Sequence, residues 1–114
     1  MPFIDLKTSA KIDESTEAIL REKFGKIITL IPGKSEAWLM VSFTDRERMA
    51  FRGNADADTA MVSVDLLGGA TDKSYDDMTR AICKTVNEIL GVPMDRIYVK
   101  YSEYLHWGFA GENF

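Results

Sequence analysis

MVSVDLLGGATDKSYDDMTRAICKTVNEILGVPMDRIYVKYSE, residues 61–103, reads as a strand, a helix and a second strand. Met61–Leu67 is aliphatic and β-branched and breaks at Gly68-Gly69. Ser74-x-x-Asp77 resembles a capping box, with Asp for the usual Glu, and predicts a helix start. Tyr75, Met78, Ile82, Val86, Ile89 and Leu90 recur at the spacing of one buried helical face. Gly91 and then Pro93 close that helix in the usual order. Arg96–Glu103 follows as a strand.

Working back toward the N-terminus, the same plan appears once more. Residues 2–7 read as a short strand. A helix is expected from about Glu14 to Ile31, with Asp13 as N-cap and Glu14 and Glu17 at the positive end of its dipole. Ile19, Leu20, Phe24, Ile27, Ile28, Leu30 and Ile31 form its apolar stripe. Gly25 inside it implies a close approach, and Pro32-Gly33 stops it. Trp38–Thr44 is a second strand, and residues 45–54 read as a bent connection or short edge strand with Gly53-Asn54 as its turn. The halves align at an offset of about 60, with Ile4-Asp5-Leu6 over Val64-Asp65-Leu66 and Trp38 over Tyr98.

The expected fold class is therefore α+β. Two pseudo-repeated βαβ units, about 1–60 and 61–114, make one domain over residues 1–114. Each is a right-handed crossover, and together they form a four-stranded mixed sheet with two helices on one face. Trp38-Leu39-Met40-Val41 is apolar toward both faces, the pattern of a strand buried on both sides. Two helices cover only one face. Either a symmetric homo-oligomer covers the other, or it stays a wet, imperfect open face.

Composition narrows the chemistry. With 46% hydrophobic and 28% charged residues, the chain of 114 is of ordinary globular make-up. Fourteen basic against eighteen acidic residues give a net charge of −4, against a phosphate-binding nucleic-acid module. No apolar run is long enough to span a membrane. MPFIDLKTSAK reads as neither a secretory signal nor a transit peptide, and the expected location is cytoplasmic. One cysteine, Cys83, and one histidine, His106, exclude an intramolecular disulfide, a Cys-x-x-Cys motif and a His-rich metal site. No metal or organic cofactor is expected. Cys83 reads as packing and His106 as structural or exposed.

Taken in order and spacing, MPFI (1–4), IPGK (31–34), VDLLGGA (64–70), SYDDM (74–78), GVPMDRIYVKY (91–101) and WGFAGENF (107–114) resemble the macrophage migration inhibitory factor and D-dopachrome tautomerase family of the tautomerase superfamily. The resemblance implies a homotrimer, three sheets enclosed by six helices, with active sites between subunits. It implies that Pro2 is the catalytic base. Proline at position two says little by itself, but loss of Met1 would leave a secondary amine. A free α-amino group titrates at about 7.7–8.0. Burial and a neighbouring cation lower that value and make a competent base at neutral pH. With Met1 retained, the Pro2 nitrogen is an amide and the protein should be inactive.

Lys34 alone is a cation beyond a helix C-terminus; the resemblance makes it the group that binds a substrate carboxylate and depresses the Pro2 pKa. Val64 is expected to offer its backbone N–H to the substrate. Tyr98 is expected to reach a neighbouring subunit's site and hydrogen-bond an enol oxygen or a water. Lys100 stands where the family often has asparagine, which alters that subsite. Trp38, Tyr104, Trp107, Phe109 and Phe114 are candidate walls of an apolar pocket suited to an aryl group. The Cys-x-x-Cys of the mammalian cytokine members is absent from the corresponding DADT, residues 56–59, so thiol oxidoreductase activity is not carried over.

The resulting expectation is cofactor-independent keto–enol tautomerisation of an aromatic 2-oxo acid of the phenylpyruvate type. A second reading is a cytokine-like ligand with a vestigial site, secreted without a signal and bound by a receptor. Dehalogenation or decarboxylation of small three-carbon acids ranks last, because no arginine is placed for it.

Overall fold

Alternation along the first strand organises the whole sheet. In β1 (Pro2–Thr8), Pro2, Ile4, Leu6 and Thr8 are buried, while Phe3, Asp5 and Lys7 point to the opposite face. The computed structural model describes residues 1–114. The order of strands is β2-β1-β3-β4, where β2 is Met40–Thr44, β3 is Ala60–Leu67 and β4 is Ile97–Tyr104. β1 runs parallel to β2, β3 runs parallel to β4, and β1 and β3 are antiparallel. Two parallel βαβ units thus meet back to back in a mixed sheet, as expected.

The register shows the duplication directly. Ile4 lies opposite Val64, and these are the two residues that the offset of about 60 superposes. The pseudo-twofold axis therefore passes between them. In the first unit Asp5 sits beside Ser42, and in the second Asp65 sits beside Ser102, at equivalent positions.

α1 (Glu14–Ile27) starts as its sequence directs. The Asp13 carboxylate accepts the Thr16 N–H at 2.8 Å, and that bond holds the carboxyl down at about 2. The helix is shorter than expected: after Ile27 it tightens into a 3₁₀ turn over Ile28–Leu30. The buried stripe is also narrower, because the helix rests on a single sheet face. Leu20, Phe24, Ile27, Ile28 and Ile31 are in the core, whereas Ile19 and Leu30 are exposed.

Trp38 does not belong to the second strand. Its N–H donates to the Ser35 carbonyl at 3.2 Å, and Leu39 N–H donates to the Glu36 carbonyl at 3.1 Å. Those amides are spent in a 3₁₀ turn over Glu36–Trp38, so the ladder begins only at Met40. Residues 45–54 form no edge strand. A single two-residue turn joins Phe51 and Asn54, with Arg52 and Gly53 at its centre rather than Gly53-Asn54.

α2 (Asp72–Leu90) begins earlier than the Ser74 reading. Thr71 is its N-cap, with Thr71 Oγ1 accepting the Ser74 N–H at 3.1 Å. Asp77 instead pairs with Lys73 and Arg80 on the helix surface. Gly91 ends the helix in the left-handed region, φ 73°. The tail folds into a small hairpin, β5 (Gly108–Phe109) and β6 (Glu112–Asn113), around Ala110 and Gly111, both at positive φ.

Both helices pack on the face carrying Ile4, Leu6, Val62, Val64 and Leu66, with Phe24, Met78, Ile82 and Val86 above them. Burial of each such side chain contributes roughly 1.5–3 kcal/mol. The other face is not the apolar surface that Trp38–Val41 suggested. Asp5, Ser42, Ser63, Asp65, Lys100 and Ser102 run across its middle, with Phe3, Met40, Met61 and Leu67 around them. Val41 turns toward the helices, and Met40 is 69% exposed on the open side. No helix is long and apolar enough to cross a membrane.

Candidate active site

Ile31-Pro32-Gly33-Lys34 is a tight turn written in its residue types. Ile31 is anchored in the core, proline supplies the fixed φ of the second position, and Gly33 takes φ 82° at the third. The Lys34 N–H closes the turn on the Ile31 carbonyl at 3.1 Å. This places the Lys34 side chain over the end of β3, where its Nζ donates to the Leu67 carbonyl at 2.9 Å.

The chain's first residues meet the same point. Pro2 is buried opposite Leu66, and the Leu67 N–H donates to the Met1 carbonyl at 3.1 Å. Burial lowers the terminal amine of Met1 below its ordinary value, and the charge and hydrogen bond of Lys34 lower it further. A cleft of about 400 Å³ opens here, lined by Met1, Pro2, Phe3, Ala37, Trp38, Leu39, Met40, Trp107, Gly108 and Phe109. Trp38 meets the Phe109 ring edge-on at 5.1 Å, and Phe114 stacks behind Phe109 at 6.3 Å. Tyr104 packs edge-on against Trp107 at 5.9 Å. The chain start thus borders a slot with aromatic walls, and the Lys34 ammonium lies beside its terminal amine. A larger recess of about 510 Å³ lies between α1 and the β2 edge. Its polar groups are Arg21, Glu22 and Glu36, and it lies away from the terminus.

Of the sequence-derived site residues, Pro2, Lys34, Trp38, Trp107, Phe109 and Phe114 converge on this region. Tyr98 and Lys100 do not. Leu66, the partner of Pro2, pairs on its other side with Glu103. Tyr98 lies five residues before Glu103 on β4, roughly 16 Å along the strand. Tyr98 is 57% exposed, and its ring is edge-on to Phe51 at 5.1 Å. Val64 is fully buried beneath the helices and lines no part of the cleft. Because Leu67 donates across the β1–β3 seam, alternation leaves Ile4 and Val64 a pair without hydrogen bonds there, and the Val64 N–H points toward β4. The amide facing the terminus is that of Leu67.

Sequence reasoning missed Phe3, Met40 and Leu67. Phe3 and Met40 are register partners on the open face, which the alternation of β1 would have revealed once β2 was started at Met40. Leu67 acts through its main chain and leaves no side-chain signal. No three His, Cys, Asp or Glu side chains converge to hold a metal ion.

Comparison with known proteins gives the same fold and adds a lineage. The sequence matches the family described as macrophage migration inhibitory factor (MIF) over residues 1–113. The chain belongs to the macrophage migration inhibitory factor family. Among solved structures, MIF2 of Leishmania major is 32% identical with a TM-score of 0.92, over 100% of this chain and 97% of that one. The macrophage migration inhibitory factor homologue of Prochlorococcus marinus is 28% identical with a TM-score of 0.87, over 98% of each chain. The Toxoplasma gondii factor is 22% identical with a TM-score of 0.87, over 98% of this chain and 99% of that one, a likeness of fold. A search of the curated proteins found no match. Membership of this family, within the tautomerase superfamily, supports a function like that of the macrophage migration inhibitory factors.

Proposed function

We propose that the protein is a keto–enol tautomerase of aromatic 2-oxo acids, phenylpyruvate being the simplest example, and that Pro2 is its general base. The observation that carries this reading is the buried start of β1, which lines an aromatic cleft and lies beside Lys34. Removal of Met1 gives Pro2 a secondary amine in the surroundings that already lower the Met1 amine. Neutral at pH 7, that amine takes a proton from the carbon next to the substrate carbonyl. The C–H electron pair forms the C=C bond, and the carbonyl pair moves onto oxygen, which is protonated to give the enol. The reverse path returns the proton from Pro2 to carbon. The aromatic walls hold the aryl group and exclude water.

Lys34 holds the substrate carboxylate. Excision of Met1 also removes the carbonyl that the Leu67 N–H now binds, and frees that amide beside Lys34. The backbone role expected of Val64 therefore passes to Leu67. Protonation of the enol oxygen falls to Tyr98 of a neighbouring copy or to a water, with Lys100 nearby on the same strand. This requires a homotrimer whose sites lie at subunit seams, an assembly that covers the open sheet face.

The test is enol–keto conversion followed by ultraviolet absorbance, on protein whose intact mass shows Met1 removed. Pro2→Gly should lower the rate about 10²–10⁴-fold, the worth of a placed base. Protein that keeps Met1 should be equally inactive. Undiminished turnover in either would eliminate Pro2 as the base.

A further inference from the structure

We infer that Phe51, braced by Arg96, is a positioning residue that holds the Tyr98 ring in one orientation, and with it the hydroxyl that serves the proposed reaction. The inference rests on the proposed use of Tyr98 in a neighbouring copy's site. Phe51 lines no part of the cleft at the chain start, and the proposed chemistry does not use it.

Tyr98 needs such a support. The β3–β4 ladder sets it opposite Met61 and fixes where its Cβ stands, but the ladder leaves χ1 and χ2 to the ring's neighbours. The side chain stands on the open face of a strand at the sheet's border, mostly exposed. Phe51 meets its ring with centroids 5.1 Å apart and planes at 86°. In that T-shaped geometry the positive rim of one ring faces the negative face of the other, which favours one ring orientation over its alternatives.

Phe51 is itself fixed, by a turn rather than by a strand. Phe51 and Asn54 exchange N–H···O bonds at 2.9 and 3.1 Å around Arg52 and Gly53, both at positive φ. Arg96 clamps that turn. Its Nη2 donates to the Asn54 carbonyl at 2.9 Å, the same oxygen that accepts the Phe51 N–H. Its Nη1 reaches Asn54 Oδ1 at 3.4 Å, and its Nε donates to the Asp58 carbonyl and to Thr59 Oγ1, each at 3.1 Å. None of these acceptors is a carboxylate, so the guanidinium charge is answered by the Phe51 ring, whose centroid lies 5.8 Å away. Arg96 stands two residues before Tyr98, so the ring and its brace rise from one short stretch of backbone.

Steady-state kinetics with phenylpyruvate and NMR of the tyrosine side chains test this, on the full-length protein freed of Met1. Tyr98→Phe sets the scale, with kcat about 10²–10³-fold lower for one lost donor. Phe51→Ala should lower kcat by up to about 10²-fold, the effect of a group misplaced by about 1 Å, and leave KM unchanged. Phe51→Tyr, which keeps the ring, should restore kcat. Arg96→Lys keeps the charge but not the planar fork, and should lower kcat as Phe51→Ala does. In a Tyr98→Phe background, Phe51→Ala should add nothing. The χ1 couplings of Tyr98 should be those of one rotamer in the parent and averaged in Phe51→Ala. A parent-like kcat in Phe51→Ala or Arg96→Lys, a loss that persists in the Tyr98→Phe background, or couplings unchanged by Phe51→Ala overturns the inference. If the parent does not turn over phenylpyruvate, or if Tyr98→Phe matches it, the proposed reading fails, and the couplings alone decide whether Phe51 fixes the ring.

Discussion

Pro2 and Lys34 are separated by thirty-one residues, and the main chain of Leu67 meets both ends, its carbonyl accepting Lys34 Nζ and its N–H donating to the Met1 carbonyl. The Leu67 side chain has no part in the arrangement. The sequence therefore discloses the chain start and the cation but not the main-chain groups that hold them. For the same reason the amide role was expected at Val64, which the alternation of the β1–β3 seam turns away. The electrostatics make a prediction at this scale. In the proposed role the Pro2 amine works as a base only when neutral, so activity should fall as pH drops through its pKa. Burial and Lys34 both lower the amine at the Met1 terminus, and the same surroundings are expected to act on Pro2 once Met1 is gone. Lys34→Ala should move the acid limb of the kcat/KM profile to higher pH and raise KM as well. Lys34→Arg should keep the limb near its parent position, because the charge remains. A limb unmoved by Lys34→Ala would show that the lysine does not act on the base.

Among the elements, local chemistry was readable and competing local chemistry was not. Asp13 stands alone before its helix, and its role was plain. Thr71 and Ser74 are both good caps three residues apart, and the choice between them depends on where the β3–α2 loop is pinned. Trp38 has strand-like neighbours, but its amide is taken by a turn. The terminal hairpin needs positive φ at Ala110, a conformation alanine gives no reason to expect. Asp13 yields a pH prediction. Its carboxyl is held at about 2 against the ordinary 3.8, so its capping contribution is complete above the ordinary value and fades as pH falls toward 2. Asp13→Asn, which caps without titrating, should flatten the decline of Tm between about pH 4 and pH 2. A decline of unchanged steepness would assign it to other carboxylates. Gly25 yields another. The atoms that a Cβ there would meet are the far end of Glu36, an exposed side chain free to swing into water. Gly25→Ala should therefore raise stability by up to about 1 kcal/mol in urea unfolding through helix propensity. A loss would mean that the Glu36 carboxylate is held in place.

At the scale of the molecule, the duplication was legible because the Ile-Asp-Leu and Val-Asp-Leu triplets sit at its axis. The open face was less so. Its middle is polar, and any copy that covered it, as the proposed trimer would, has to accommodate Asp5, Asp65 and Lys100 rather than a plain hydrophobic seam. Tyr98 and Lys100 also lie far from Pro2 within one chain, so a seam between copies is the only way they share a site. This gives a complementation test. Pro2→Gly and Tyr98→Ala should each be impaired alone, yet co-refolded mixtures should regain activity, because some seams join an intact Pro2 to an intact Tyr98. Sedimentation should give a mass three times that of the chain. Mixtures no more active than their components would confine each site to one subunit.

The bond between the Met1 carbonyl and the Leu67 amide sets a clock on the protein's maturation. Leu67 leaves the ribosome well after Met1, by several seconds at roughly 5–20 residues per second. During that interval the first peptide bond is loose and open to an aminopeptidase. Once β3 has closed beside β1, the same bond is stitched into the sheet's border. With Pro2 as the base, as proposed, whether a given molecule becomes active would be settled while it is still being synthesised, and a molecule that folds with its methionine in place would carry its own plug.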